Sequence, residues 1–273
     1  MLLFNIDSIN IKTYTLDKSI IQDFIEENNL TKFYNKNKNN KYGKSIVKKD
    51  NTILFQYYSQ SNKFNSLLSY TMLEVHGLKK YSSKDITKKE FLLKLLVHLK
   101  KNNIEYDIQK LDYSIDIENQ KLENIFLYKN SKRNSFNNIL NHDIKTPFIL
   151  ENSIAYNTNR NNRLIAYDKS LKEDLEEEIL RIEINLYPNI FRQIRKKDNI
   201  ENLLIDIKKA LEIYEIYIIK EEELRNKIVL FHKESNYKTN KRVRAKILKM
   251  LDEVDYKKIE FDYSSIEELL CYF

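Results

Sequence analysis

The chain has 273 residues, of which 42% are hydrophobic and 32% charged, and its formal net charge is +7. That length holds one large domain or one of ordinary size with an appendage, and the apolar fraction is that of a folded globular protein. The excess of Lys and Arg favours a polyanionic partner such as a nucleic acid, although an AT-rich genome that encodes Lys, Asn, Ile and Tyr freely produces the same excess.

From the N-terminus, MLLFNIDS reaches Asp7 too soon for the apolar core of a secretory signal. Residues 2–14 read as a strand with polar alternation, and residues 17–29 as an amphipathic helix carrying Ile20, Ile21, Phe24 and Ile25. Residues 32–50 follow as a basic, Asn-rich stretch with Phe33, Tyr34 and Tyr42 interleaved among lysines, and Gly43 at a turn. Aromatics beside lysines suit single-stranded nucleic acid, and equally describe a solvated loop. Strands are predicted at about 52–59 and 67–76, ending at Gly77. Thr87 and Glu90 have the spacing of a capping box, and Phe91, Leu92, Leu95, Leu96 and Leu99 then share one helical face, with His98 off that stripe. Strands follow at 110–117, 124–129, 152–157, 163–168 and 179–186.

Pro188 stands at a helix N1 position, and Leu203, Leu204, Ile207, Leu211 and Tyr214 continue a helical stripe, so 188–250 reads as nearly all helix. The expected fold class is α+β: a mostly antiparallel sheet, about five strands of it over residues 100–187, covered by helices on one face and followed by a helical C-terminal region. The expected division is a domain of residues 1–190 and a basic helical appendage of residues 191–273.

Several chemistries are excluded. Cys271 is the single cysteine, so no disulfide framework or zinc-binding cysteine pair forms within the chain. Gly43 and Gly77 are the only glycines, too few for a phosphate-cradling loop. No apolar run approaches the roughly 20 residues needed to span a bilayer, and a soluble, cytoplasmic protein without a membrane partner is expected.

Three segments carry candidate chemistry. In KLDYSIDI, alternation places Asp112, Ser114 and Asp116 on one face, where two carboxylates suit a hard divalent ion; a solvated acidic face has the same pattern. In ILRIEINL, Leu180, Ile182, Ile184 and Leu186 form an apolar face, while Arg181, Glu183 and Asn185 form a polar one that offers an oxygen ligand and a phosphate-binding guanidinium. In SIAYNTNRNNRLIAYDKSLKE, a strand ends near Tyr156 and a polar turn carries Arg160, with Arg163 following, which suits an approaching phosphate. With 19 tyrosines in the chain, any one of them is more often core or surface than a nucleophile.

The order of these segments resembles the replication initiators of rolling-circle plasmids and filamentous phages, in the group that holds its metal with carboxylates. The resemblance spans about residues 67–187 and rests on Asp112 to Asp116, Tyr156, Tyr167-Asp168-Lys169 with Glu173, and Arg181-Ile182-Glu183, with LEVHGL before the Thr87 helix. Lys110 replaces an arginine frequent in that family, and Asn157-Thr158 replaces a Gly-Ser pair. The resemblance implies a nicking-joining enzyme in which Tyr156 is the nucleophile, with Tyr113 and Tyr167 as alternatives. It assigns Asp112, Asp116 and Glu183 to Mg²⁺ or Mn²⁺, and Lys169 or Arg181 to the transition-state charge. It also implies origin DNA, double- and single-stranded, as partner, together with a host helicase and a homodimer. The basic stretch 233–249, with Lys238, Lys241, Arg242, Arg244 and Lys246, is the candidate DNA-contacting segment. A non-catalytic DNA-binding regulator is the competing reading, because it needs the basic segments but no carboxylates gathered near a tyrosine.

Overall fold

A computed structural model describes residues 2–14, 18–35, 43–61, 69–78, 86–129, 135–138, 147–150, 153–157, 162–186, 200–212, 214–224, 226–227, 241–252 and 256–272. Two compact units divide the chain. One takes Asn5–Tyr113, Asn185–Leu204 and Ser264–Phe273; the other takes Met1–Phe4, Ser114–Ile184 and Ile205–Tyr263. Both draw on chain from either side of residue 190.

In the unit that holds most of the N-terminal chain, hydrogen-bonded strands run in the order β2 (Thr31–Asn35), β3 (Lys44–Lys49), β4 (Thr52–Gln60), β5 (Tyr70–His76), β1 (Leu2–Thr13) and β6 (Tyr106–Glu118), the last of which continues into the other unit. The pairings given by register from β2 to β1 are antiparallel. Alternation sorts β5 cleanly: Thr71, Leu73 and Val75 are buried, while Met72 and Glu74 are half-buried on the opposite face. Ile9, Ile11, Val47, Phe55, Tyr57, Leu73 and Val75 are buried on one face, where helix α2 (Ile86–Lys101) packs on β4 and on helix α1 (Ser19–Glu27), and the Phe24 ring of α1 lies 6.3 Å from that of Phe55.

The predicted stripe of α2 is the buried one: Phe91, Leu92, Leu95, Leu96 and Leu99 are each at most 5% exposed. The helix begins at Ile86, one residue before the predicted Thr87 cap. His98, off the stripe, packs edge-on to Phe24 of α1 and hydrogen-bonds the Ile20 carbonyl at 3.0 Å. Gly77 closes β5 with φ of +68°, a left-handed conformation that favours glycine.

Strands β2 and β3 lie where the sequence shows a basic, Asn-rich stretch. Lysines at both ends of KSIVKK interrupt the apolar period, so the strand signal there is weak.

In the other unit, β6 continues a strand order through β12 (Ile179–Leu186), β11 (Asn162–Asp168), β10 (Ser153–Asn157) and β9 (Pro147–Leu150). Of these, β6, β12, β11 and β10 answer to strands expected over residues 100–187, β9 is an addition to them, and the strand expected at 124–129 belongs to a second sheet. A second sheet has the order β14 (Tyr256–Lys258), β13 (Tyr214–Ile219), β7 (Ile125–Lys129), β8 (Ser135–Asn138). Three further helices are described: α3 (Lys169–Glu173), α4 (Ile200–Leu211) and α5 (Lys241–Asp252).

Strand β13 corrects the reading of 188–250 as nearly all helix. The helical stripe stops at Leu211, and YEIYII is β-branched and aromatic, with Ile216, Tyr217, Ile218 and Ile219 all buried. A short apolar run buried on both faces carries no period that separates strand from helix. Pro188 and the proposed boundary at 188–198 lie outside the described residues.

The last helix, α6 (Ser264–Leu270), buries Ile266, Leu269 and Leu270 in the unit that holds α1 and α2, and Glu268 pairs with Lys89 of α2 at 2.5 Å. No helix among the described residues is long and apolar enough to cross a membrane.

Candidate functional site

Strand β6 carries Asp116 into a buried charge cluster. Arg181 of β12 grips both of its carboxylate oxygens, Nε to Oδ1 at 2.5 Å and Nη2 to Oδ2 at 2.6 Å. This is the two-pronged geometry a planar guanidinium makes with a carboxylate. Lys169 completes the cluster, its Nζ 3.7 Å from Asp116 and 3.5 Å from Glu173. Arg181 also reaches Glu183, at 3.8 Å, and Glu183 accepts a hydrogen bond of 2.7 Å from the Tyr167 hydroxyl.

The local sequence explains why these groups meet. Tyr167 and Asp168 end β11, and Asp168 caps the short helix α3 by accepting from the Leu171 backbone at 3.1 Å. That cap starts the helix at Lys169, and a four-residue spacing then sets Glu173 beside Lys169. The members of Tyr-Asp-Lys-x-x-x-Glu thus act separately. Tyr167 holds Glu183, Asp168 caps the helix, Lys169 turns to Asp116, and Glu173 faces Lys169. Lys172 lies over the Tyr167 ring, 4.3 Å from its centroid. Lys169 and Arg181 are both buried, and Glu183 is 14% exposed.

Asp112 lies in the other unit and has different partners. Its Oδ2 accepts from the Ser8 hydroxyl and sits 2.6 Å from Lys110 Nζ, while its Oδ1 accepts from Asn185 at 2.7 Å. The sequence pattern marks no role for Ser8, which belongs to the polar alternation of β1. Asn185 is visible there as the third member of the polar face in ILRIEINL. A third carboxylate of β6, Asp107, accepts from the Tyr14 hydroxyl. Burial raises its pKa to about 6, against a smaller lowering by Lys12.

The carboxylates assigned to Mg²⁺ or Mn²⁺ do not fit the ion in this arrangement. Hard divalent ions need several oxygens not already engaged by cations. Both oxygens of Asp116 are held by Arg181, with a second cation beside them, and those of Asp112 are taken by Ser8, Lys110 and Asn185. Among the described residues, no group of three or more His, Cys, Asp or Glu side chains is arranged to hold a metal.

The remaining candidates are placed as follows. Tyr156 lies on β10, opposite Leu164 of β11 and Pro147 of β9. Arg163 lies on β11 opposite Asn157. Arg160 and Lys238 lie outside the described residues. Lys241 opens α5, which also carries Arg244; Arg242, Lys246 and Lys249 are exposed on that helix at a spacing that shares one face.

No known family model matches the chain, and no curated protein matches its sequence. Among solved structures it is similar to the rolling circle replication initiator protein from Geobacillus stearothermophilus. That likeness spans 81% of this chain and 88% of the other, at 13% identity and a TM-score of 0.44.

Proposed function

We propose that the chain is a rolling-circle replication initiator that nicks origin DNA through a tyrosine. One observation carries the reading. Motif residues far apart in sequence, Asp116, Tyr167 to Glu173, and Arg181 to Glu183, belong to one connected charge cluster on β6, β11, α3 and β12. The strand that bears Tyr156 pairs with β11, the strand that ends in this cluster.

In the proposed reaction the Tyr156 phenolic oxygen attacks the phosphorus, and its proton passes to solvent. The bond from phosphorus to the 3′-oxygen breaks, and that oxygen takes a proton to become the 3′-hydroxyl that primes synthesis. The 5′-phosphate stays on Tyr156. Lys169 and Arg181 supply positive charge against the negative charge that builds up at phosphorus. The exposed basic face of α5, with Arg242, Lys246 and Lys249, contacts DNA phosphates. The homodimer and the host helicase belong to the same proposal.

The test is incubation with supercoiled DNA bearing the cognate origin, in Mn²⁺ and in parallel in EDTA. Protein-linked nicked product is expected from the parent, and Tyr156→Phe should bind the DNA but give none. If Tyr156→Phe still forms the adduct and Tyr167→Phe does not, the nucleophile lies on β11. An adduct formed equally in EDTA agrees with the engaged carboxylates, and an adduct lost in EDTA would bring a divalent ion into the mechanism. The second reading, a non-catalytic DNA-binding regulator, is favoured by the way Asp116, Arg181 and Lys169 engage one another. It predicts DNA binding with no adduct from the parent under either condition.

A further inference from the structure

The sheet of the unit formed largely by Asn5–Tyr113 has one face against α1 and α2, and the other face carries a set of aromatic rings paired with lysines. Phe33 of β2 is 54% exposed. It shares its face with Ile46 and Lys48 by register and alternation, and Lys48 Nζ lies 5.2 Å from its ring centroid. Across β4 and β5 the pattern repeats: Lys44 stands 5.5 Å from the Tyr58 ring, and Lys12 stands 4.7 Å from Tyr70 and 4.8 Å from Tyr14.

Ile53, opposite Lys48 in register and 39% exposed, adds apolar surface to the same face. Large exposed aromatics on an edge strand are costly in water, and β2 is exposed at all five positions. Two acids lie among these groups, and each is engaged: Glu74 with Lys44 at 2.5 Å and Asp107 with Tyr14. Lys48, beside the Phe33 ring, is the cation nearest the exposed edge strand.

We infer that this face is a platform for single-stranded nucleic acid, on which bases stack against Phe33 and its neighbouring rings while Lys48 meets the phosphates. The chemistry selects that occupant. Bases offer a π-face whatever their sequence, and a flexible strand can follow lysines that alternate with rings. A duplex hides its base faces and meets only the charges. The inference is independent of whether Tyr156 forms an adduct, because it concerns binding alone.

Fluorescence anisotropy with labelled oligothymidylate, oligouridylate and a duplex of the same length tests it. Phe33→Ala is expected to weaken single-strand binding by roughly five- to 150-fold. Phe33→Trp should restore it, and Lys48→Gln should lower the log–log salt slope by about 0.7. Duplex binding should be unchanged in the two Phe33 variants and should fall instead in Arg242→Gln/Lys246→Gln. The thymidine and uridine arms show whether the occupant is DNA or RNA. Unchanged single-strand affinity in Phe33→Ala overturns the proposal, as does an equal loss for duplex and single strand. A concentration-dependent dimer that Phe33→Ala abolishes while oligonucleotide binding persists also overturns it, and assigns β2 to a second copy of the chain. Should Phe33→Ala fail to fold, Lys48→Gln alone decides, because an unchanged salt slope rejects the contact.

Discussion

Asp112 and Asp116 lie on the same strand and alternate onto the same face, yet their surroundings differ in kind. Asp116 is gripped by a guanidinium and approached by a buried ammonium, both from residues of the family-like motifs. Asp112 is held by a hydroxyl, an amide and a lysine that is itself 27% exposed, and Ser8 and Asn185 lie outside those motifs. A motif can single out both carboxylates, but their partners decide what each does. Asp116 anchors two cations, whereas Asp112 is the centre of a mostly neutral hydrogen-bond set.

The largest effect that would sharpen the contrast is on stability. Removing the carboxylate of Asp116 leaves Arg181 and Lys169 buried without their counter-ion, at a cost of ~3–5 kcal/mol. Removing that of Asp112 leaves a buried amide and a buried hydroxyl without their acceptor, at a cost of ~1–3 kcal/mol. Urea denaturation of Asp116→Ala and Asp112→Ala measures both. Equal midpoints for the two variants would break the comparison.

A smaller effect concerns the cap that starts α3. Asp168→Ala loses the hydrogen bond to the Leu171 backbone, a loss of about 1 kcal/mol. Lys169 follows that cap directly, so the variant should also loosen the Lys169–Asp116 contact. In a double-mutant cycle, Asp168→Ala should cost less in a Lys169→Met background than in the parent. Strict additivity of the two substitutions would show that the cap does not position the lysine.

Much of this arrangement is legible in the sequence, and the gaps have physical causes. Strands β6, β11 and β12 show in the alternation of KLDYSIDI, NRLIAYD and ILRIEINL, since each sets polar side chains against apolar ones. The stripe of α2 shows for the same reason at helical period. Strand β13 is hidden because a run buried on both faces has no period, and β2 and β3 because lysines occupy positions that face solvent. The residues of the charge cluster all stand out in the sequence, but their pairing does not. Arg181 reads there as a phosphate ligand and Asp116 as a metal ligand, because sequence spacing carries no information about which cation on a neighbouring strand a carboxylate will meet. Ser8 escapes notice altogether, since a lone serine on a strand has no signature.

The smallest effect belongs to Asp107, a third carboxylate of β6, which tests the comparison from the side of a carboxylate to which a tyrosine hydroxyl donates. Burial raises its pKa from 3.8 to about 6, and the Tyr14 hydroxyl donates to it. A carboxyl whose pKa is raised in the fold binds more protons there than in the unfolded chain. Its contribution to stability is therefore fully present below about pH 4 and is lost as the pH rises through about 6. Asparagine at this position cannot ionise and still accepts from Tyr14. Asp107→Asn should match the parent near pH 4 and become more stable than it above pH 6, by about 1 kcal/mol once screening at a half-exposed site is allowed for. Chemical denaturation at a series of pH values reads the difference directly. A difference that stays flat across that range would mean that Lys12 compensates the Asp107 charge in full, and the contrast between carboxylates held by cations and carboxylates held by neutral donors would then stop at Asp112.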